Sequence, residues 1–506
     1  MSATSIPRHA FAWFAQILLV LAACASPARA QSVTGSIQGT VVDQSGAVLP
    51  GVTVTVTNTA TGAARTSVTD AAGLFRVELL PVGPYELSAD LSGFATRKQP
   101  DITLTVGNVL TFRIEMRVAS VAESVTVIAE TPMLETTRSQ VSDTVGEVAV
   151  NSLPVNGRNF INFALLTPGV TTDVRTGDIS FAGQRGTLNS LVVDGADDNN
   201  TFFGQTIGRT GSGRAPYQFS ASAVKEFQVN SNAYSAEYGR AGGAVINVVT
   251  KSGTNAVAGE GFYFLRDKAL NANNLINVLQ GRPKSPYHYD QFGGYVSGPL
   301  RKDHDFFFFN YDGQRNTLPN LVFLNLPANT PTDPDTQAAI ARLTPLAGSW
   351  DQAQNQNTFL VKTDHQINGG NRLSIRYNYQ NFNGKNFENS GPQIALQHTG
   401  DSNVRTQTLN GGFTSVLGAT LFNEARVQWA KDQEPGEANS PDPEATIQQG
   451  GTNVLIIGRN SFSPRETTIK RWQVADALTW VRAAHKVKGG FDFQFDNILN
   501  YFPGNF

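Results

Sequence analysis

From Arg372 to Gln380 the chain reads RLSIRYNYQ, in which Leu373, Ile375, Tyr377 and Tyr379 alternate with Arg372, Ser374, Arg376, Asn378 and Gln380. A period of two puts every large apolar group on one face of a strand and every charge on the other. The pattern returns. Leu421, Ala425, Val427 and Trp429 alternate with Thr420, Glu424, Arg426 and Gln428, and Val487, Phe491, Phe493 and Phe495 alternate with Lys486, Lys488, Asp492, Gln494 and Asp496. Two faces this different need two different media. Charges such as Arg376 and Arg426 are cheap against a wet lumen and expensive against lipid, so the pattern predicts a wall of amphipathic strands between the two.

The connections agree. "NGGN" (Asn368–Asn371) and "LGAT" (Leu417–Thr420) are tight, whereas Pro331–Gln356 and Gln433–Ser463 are long, polar and rich in Pro, Gly and Asn. Short periplasmic turns and long outer loops are the habit of outer-membrane barrels. "DFFFFNYDGQR" (Asp305–Arg315) does not alternate; it suits an aromatic girdle strand or one buried on its inner face. About nine strands are legible between Ala256 and Phe506, against about 22 in plugged transporters. An open wall leaves two unpaired edges in lipid, so the pattern predicts a longer protein of which this is a part.

The remaining bulk properties narrow the class. Of 506 residues only 16% are charged, for a net charge of −2, which gives no electrostatic basis for binding nucleic acid. Residues 1–30 read as an export signal: Arg8 and His9, an apolar stretch from Phe11 to Ala25, and "ARA" before Gln31. A second reading takes "LAAC" (Leu21–Cys24) as a lipobox, with Cys24 acylated. Cys24 is the single cysteine, so cleavage after Ala30 leaves none, and stability must come from sheets or a membrane rather than disulfides. No stretch has eighteen consecutive apolar residues.

Between signal and wall lie three segments. Residues 32–117 show short strands at regular spacing, with Val52, Val54 and Val56 alternating and turns at "DQSG" and "LPG". Gly39, Asp43, Gly46, Leu49, Pro50, Gly51, Gly73, Phe75, Leu80, Pro81, Gly83, Tyr85, Gly93 and Phe94 resemble the carboxypeptidase regulatory-like domain, a transthyretin-like β-sandwich, which implies no catalysis. Residues 118–130 form a linker. Residues 131–252 mix short strands and helices and end in "GGAVINVVTKSGTN", whose run from Gly243 to Thr250 is apolar but for Asn247. A strand with a wet face alternates; this one must be covered on both sides.

Tyr238, Gly239, Gly242, Gly243, Val245, Asn247, Thr250 and Lys251, with Val193-Asp194-Gly195 as an inner hairpin turn, resemble the plug of TonB-dependent receptors. Leu153, Pro154, Asn156, Gly157, Arg158 and Asn159, "KSGTN" and "DQFGGYVSGPL" (Asp290–Leu300) resemble the Oar-like subgroup. The resemblance implies a mainly β protein with three parts. These are a sandwich, an α/β plug and, over 256–506, part of an antiparallel transmembrane barrel. The expected site is the outer membrane, with sandwich and plug on the periplasmic side or within the barrel. The last plug strand would be covered by plug on one side and wall on the other. The resemblance also implies a TonB-type energy-transducing partner, membrane lipid and an unnamed ligand. In the linker, Glu123, Ser124, Val125, Thr126, Val127, Ile128 and Ala129 resemble a TonB box, a segment gripped by strand addition; the plain alternative is a linker strand.

Other features are weaker. "GQTIGRTGSGRAP" (Gly204–Pro216) offers Arg209 and Arg214 to an anionic or sugar ligand, or is a loop that touches none. Asp194, Asp197 and Asp198 cluster as calcium ligands can, but the spacing lacks the EF-hand pattern and reads as a polar turn. The five histidines from His288 to His485 are not spaced as a metal pair, and no nucleophile has a base at recognisable spacing, so neither cofactor, metal nor enzyme activity is expected. Uptake of a ligand is the leading function. A non-transporting surface-binding or adhesion protein is the alternative, and an exported enzyme the third.

Overall fold

A computed structural model describes residues 33–119, 125–126, 141–173, 178–204, 218–232, 234–273, 275–279, 281, 283–482 and 485–503. The export signal and Cys24 lie outside them.

The first body is a sandwich. Its strands are β1 (Gly35–Asp43), β2 (Thr53–Asn58), β3 (Ala64–Val68), β4 (Leu74–Leu80), β5 (Gly83–Asp90), β6 (Arg97–Leu104) and β7 (Val109–Met116). One sheet runs β4-β1-β7; the other runs β3-β2-β5-β6 and ends on β8 (Val125–Thr126). Val54 and Val56, alternate along β2, and Val52 just before it face Ile37, Phe75 and Phe112 of the opposite sheet in one core. The turns are built by side chains: Asp43 Oδ1 accepts from the N–H groups of Ser45 and Ala47, and Asp70 Oδ1 from those of Ala72 and Leu74.

The second body is the plug. Its strands are β9 (Val141–Val145), β10 (Val170–Thr172), β11 (Ile179–Phe181), β12 (Ser190–Val193), β13 (Ala196–Asp197), β14 (Val224–Asn232) and β15 (Val245–Thr250). Five of them form a sheet in the order β13-β12-β15-β14-β9. All six residues of β15 are buried. Ile246 and Val248 pack with Phe160, Phe227 and Val229 of the plug and with Phe308 and Leu360 of the wall. On the other face Val245 meets Tyr238, Asn247 donates to the Tyr238 hydroxyl, and Val249 meets Val82 and Val106 of the sandwich. The expected cover of plug and wall is thus found together on one face, while plug and sandwich cover the other.

Among the described residues the wall has nine strands in one antiparallel sheet: β16 (Ala258–Asp267), β17 (His288–Arg301), β18 (Asp305–Val322), β19 (Gly348–Gln366), β20 (Asn371–Glu388), β21 (Gly400–Val416), β22 (Leu421–Ala438), then, after the β23 (Ala445–Gln449) and β24 (Thr452–Ile457) hairpin, β25 (Arg465–Arg482) and β26 (His485–Tyr501). Its outer face carries Val361, Ile375, Val427, Trp472, Val474, Trp480, Phe491, Phe493 and Phe495, all exposed, as a lipid-facing band requires. In β18, Phe306 and Phe308 turn inward and are buried, while the next residue outward, Phe309, is 40% exposed. One strand therefore serves both roles considered for it.

The tight turns at 302–304, 367–370 and 417–420 share one end of the wall. At the other end the long connections are not plain loops. The strands run on past the expected boundaries, with β19 starting at Gly348 and β22 ending at Ala438. A helix over Pro334–Leu343 starts where the Asp333 carboxylate accepts from the Thr336 N–H at 2.9 Å. Val322, Ala395 and Leu455 are buried with Leu343, Leu346 and Trp350 in a small core of their own.

Candidate functional site

The site that the fold builds is the joint between plug and wall. Its centre is the hairpin of β12 and β13. Asp194 and Gly195 both take positive φ, 48° and 79°, which is the type I′ turn that Asp-Gly favours. The tight turn pushes two carboxylates and two carbonyls at the wall.

On one side Asp194 accepts from the backbone and hydroxyl of Thr250 at 2.9 and 2.6 Å, and from Arg376 Nη1 at 3.2 Å, with Lys362 Nζ 3.6 Å away. On the other side Arg471 Nη1 donates to Asp197 Oδ1 at 2.7 Å, and Nε donates to Asp496 at 2.9 Å. Arg471 also donates to the Asn199 carbonyl and the Thr201 hydroxyl, and its side chain is 0% exposed. Between them Arg426 Nη1 donates to the Gly195 carbonyl at 3.0 Å and Asn410 to the Asp194 carbonyl at 3.2 Å. A Cβ on Gly195 would sit 2.7 Å from Arg426 Nη1, so the close approach needs glycine.

Arg376 and Arg426 do face the lumen, as the alternation predicts, but they are 1% and 7% exposed and are covered by the plug. Asp194 and Asp197 are spent on cations, which fits the polar-turn reading. Among the described residues no group of three or more His, Cys, Asp or Glu is placed to hold a metal ion. The hairpin aspartates were visible in the sequence; their wall partners, Lys362, Arg376 and Arg471, were not.

The sandwich sits at the tight-turn end, where Lys486 pairs with Glu78 at 2.8 Å and the Asn255 N–H donates to the Ala60 carbonyl. It also grips the plug. The Val106 N–H donates to Glu226 at 2.5 Å, Gln228 Nε2 to the Val106 carbonyl, and Lys225 to the Val82 carbonyl, beside the valine cluster that closes over β15. Burial pushes the Glu226 carboxyl above its ordinary range, against the lowering effects of the Val106 N–H and Lys225; Glu147 adds to the rise.

A raised carboxyl favours the docked state when protonated. That contribution is fully present below the undocked value, about 4.3, and is lost as pH rises through the raised one. Sandwich and plug are therefore expected to hold together more tightly at pH 5 than at pH 8. Glu226→Gln keeps the acceptor oxygen and should flatten that dependence. Amide exchange at Val106 and Val249 across the two pH values, corrected for intrinsic rates, reads it directly; an unchanged slope in the variant would contradict the assignment.

Of the linker residues singled out in the sequence, Val125 and Thr126 form β8, which pairs in parallel with Arg97 and Lys98 at the edge of the sandwich sheet. Glu123, Ser124, Val127, Ile128 and Ala129 lie outside the described residues, as do Arg209 and Arg214.

Comparison with known proteins fits this geometry. Residues 249–342 and 328–506 match the family model described as outer membrane beta barrel domain, which together cover the wall. The chain belongs to that outer-membrane β-barrel family. Residues 36–117 match the carboxypeptidase regulatory-like domain. The TonB-dependent transporter Oar of Myxococcus xanthus is 26% identical over 368 residues, covering 68% of this chain and 33% of that protein. The chain thus spans about a third of the length of this curated relative. Among solved structures, the outer-membrane transporter YddB of Escherichia coli superposes with a TM-score of 0.51 at 14% identity, over 70% of this chain and 48% of that one. A mutant of the ferric enterobactin receptor PfeA of Pseudomonas aeruginosa gives 0.48 at 10% identity, over 71% and 49%. The matched barrel family places the chain in the outer membrane.

Proposed function

We propose that this outer-membrane β-barrel protein takes up a ligand with energy supplied by a TonB-type partner. The observation that carries the reading is the chemistry of the joint. The plug is seated through ion pairs and hydrogen bonds at Asp194, Gly195 and Asp197, contacts that water can replace once the hairpin moves. A permanently sealed core would bury apolar surface there instead.

In this reading ligand binds on the long-loop side, with Arg209 and Arg214 as contacts. The partner adds as a strand to Glu123–Ala129, displacing the β6–β8 pairing, and pulls. The segment leads into β9, the edge strand of the plug sheet, so force enters where one neighbour alone holds a strand. No covalent chemistry is assigned to the protein.

Deletion of Ser124–Ala129 in the protein expressed in its host is the test. The expected result is loss of ligand accumulation to the level seen with a protonophore, while in the undeleted chain Val125→Cys cross-links to a TonB-type periplasmic domain. Accumulation that survives the deletion would remove this role from the segment. Surface binding without proton-gradient-dependent accumulation would favour the adhesion alternative.

A further inference from the structure

Where sandwich, plug and wall meet, they enclose a cavity of about 160 Å³. At about 30 Å³ per water, that is room for about five waters, or for an anion the size of citrate. Three carboxylates line it, and each is already engaged. Asp194 holds Lys362 and Arg376; Asp364 accepts from Arg372 at 2.7 Å; Glu424 accepts from Lys488 at 2.9 Å.

Three more cations line it without such a partner. Arg65 of the sandwich donates to the carbonyls of Glu78 and Leu79, Lys225 of the plug to the carbonyl of Val82, and Arg426 of the wall to that of Gly195. None of the three is within 4.0 Å of a carboxylate oxygen among the described residues. Arg376, 1% exposed, leaves Nε and Nη2 without a partner, and Arg426 leaves Nη2. The lining therefore carries an excess of positive charge, contributed by all three bodies, with unspent guanidinium N–H groups buried away from bulk solvent.

The strain of that arrangement is visible in the basic groups themselves. Burial, with Arg372 close by, pushes Arg65 down to about 10 despite the opposing effect of Tyr85. Burial likewise lowers Lys225, with Lys362 and Arg372 adding to the fall and Glu226 and Glu147 opposing it. Cations held this way are stabilised by an anion that reaches several of them at once, because charge-assisted hydrogen bonds are strongest where water is scarce.

We propose that this cavity is a binding site for a small polyanion bearing two or more carboxylate or phosphate groups, at the periplasmic end of the plug. A polyanion there would bridge Arg65, Lys225 and Arg426 and so tie the sandwich to the plug and the wall. The site is independent of what the protein carries across the membrane.

Isothermal titration of the detergent-solubilised chain with citrate, and separately with inorganic phosphate, tests it. The expected result is saturable binding of at least one of the two at one site per chain, weakening as NaCl is added. Arg65→Gln and Lys225→Gln should each lower affinity about ten-fold, and Arg65→Lys should retain most of it. Lys470→Gln, on the outward face of β25, should change nothing. Circular dichroism and heat-modifiable gel mobility establish that each variant is folded. Which anion binds distinguishes the two chemistries. Absence of saturable binding of either anion, or equal affinity in folded Arg65→Gln and Lys225→Gln, would overturn the proposal.

Discussion

Arg471→Met is expected to weaken the seating of the plug by about 3–5 kcal/mol, the cost of breaking a buried ion pair from one side. Methionine fills much of the arginine's volume but donates nothing. Asp197 keeps Arg240, at 3.2 Å and 46% exposed, a far weaker partner than the fully buried guanidinium. Asp496 loses both of its bonds to Arg471, and the Asn199 carbonyl and Thr201 hydroxyl lose theirs. Amide exchange over Val192–Asp198 in detergent should rise by two or more orders of magnitude, whereas Lys470→Met on the adjacent outward position should leave it alone. The double variant with Asp197→Asn should cost much less than the two single changes added together, since each removes the same pair. Unchanged protection in Arg471→Met would show that the hairpin is held by something else.

Gly253→Val is expected to lift the chain off the wall where it passes from plug to barrel. Gly253 is buried, and a Cβ there would lie 2.4 Å from the Phe307 carbonyl oxygen and 2.5 Å from that of Gly298. These two residues are partners in the β17–β18 ladder, so the obstacle is backbone that cannot swing aside. Overpacking of well-fitted sites costs about 1–3 kcal/mol and more when the backbone must move; valine, branched at Cβ, belongs at the upper end. Protease cleavage at Lys251 in the folded protein should become measurable in Gly253→Val. Gly261→Val, in β16 with nothing within 4 Å of a built Cβ, is the matched control. Resistance equal to the control would mean that the crossing segment has slack.

How much of this was legible follows a physical line. Alternation reads out a strand's two faces, so the outward Ile375 and Val427 and the inward Arg376 and Arg426 were assigned from local residues alone. It says nothing of what an inward charge meets, because Asp194 and Gly195 are distant in sequence and brought close only by plug insertion. Strand ends were misread for a related reason. Beyond the lipid band both faces of β19 and β22 are polar, as in Gln354-Asn355-Gln356 or Asp432-Gln433-Glu434, and the hydropathy signal fades while the hydrogen-bond ladder continues. The helix at Pro334–Leu343 does leave a signal, an Asp-Pro start with Thr336 in reach of the cap, inside a stretch whose Pro and Asn content reads as loop. Arg65 and Lys225 carry no local mark at all; their meaning comes from the cavity that three separate parts of the chain enclose.

The inward face of the wall has one more consequence. Gln291, Asn310, Gln356, Asn378, Gln380, Thr408 and Gln428 are all buried against or beside the plug, yet none is apolar. Were the hairpin withdrawn, these amides and hydroxyls would hydrate with no loss of hydrogen bonding and no need to repack. Beside the apolar patch of Phe308 and Leu360, the surface that grips the plug is thus already one that water can wet, and the plug can lift and reseat there without the wall first having to be dried.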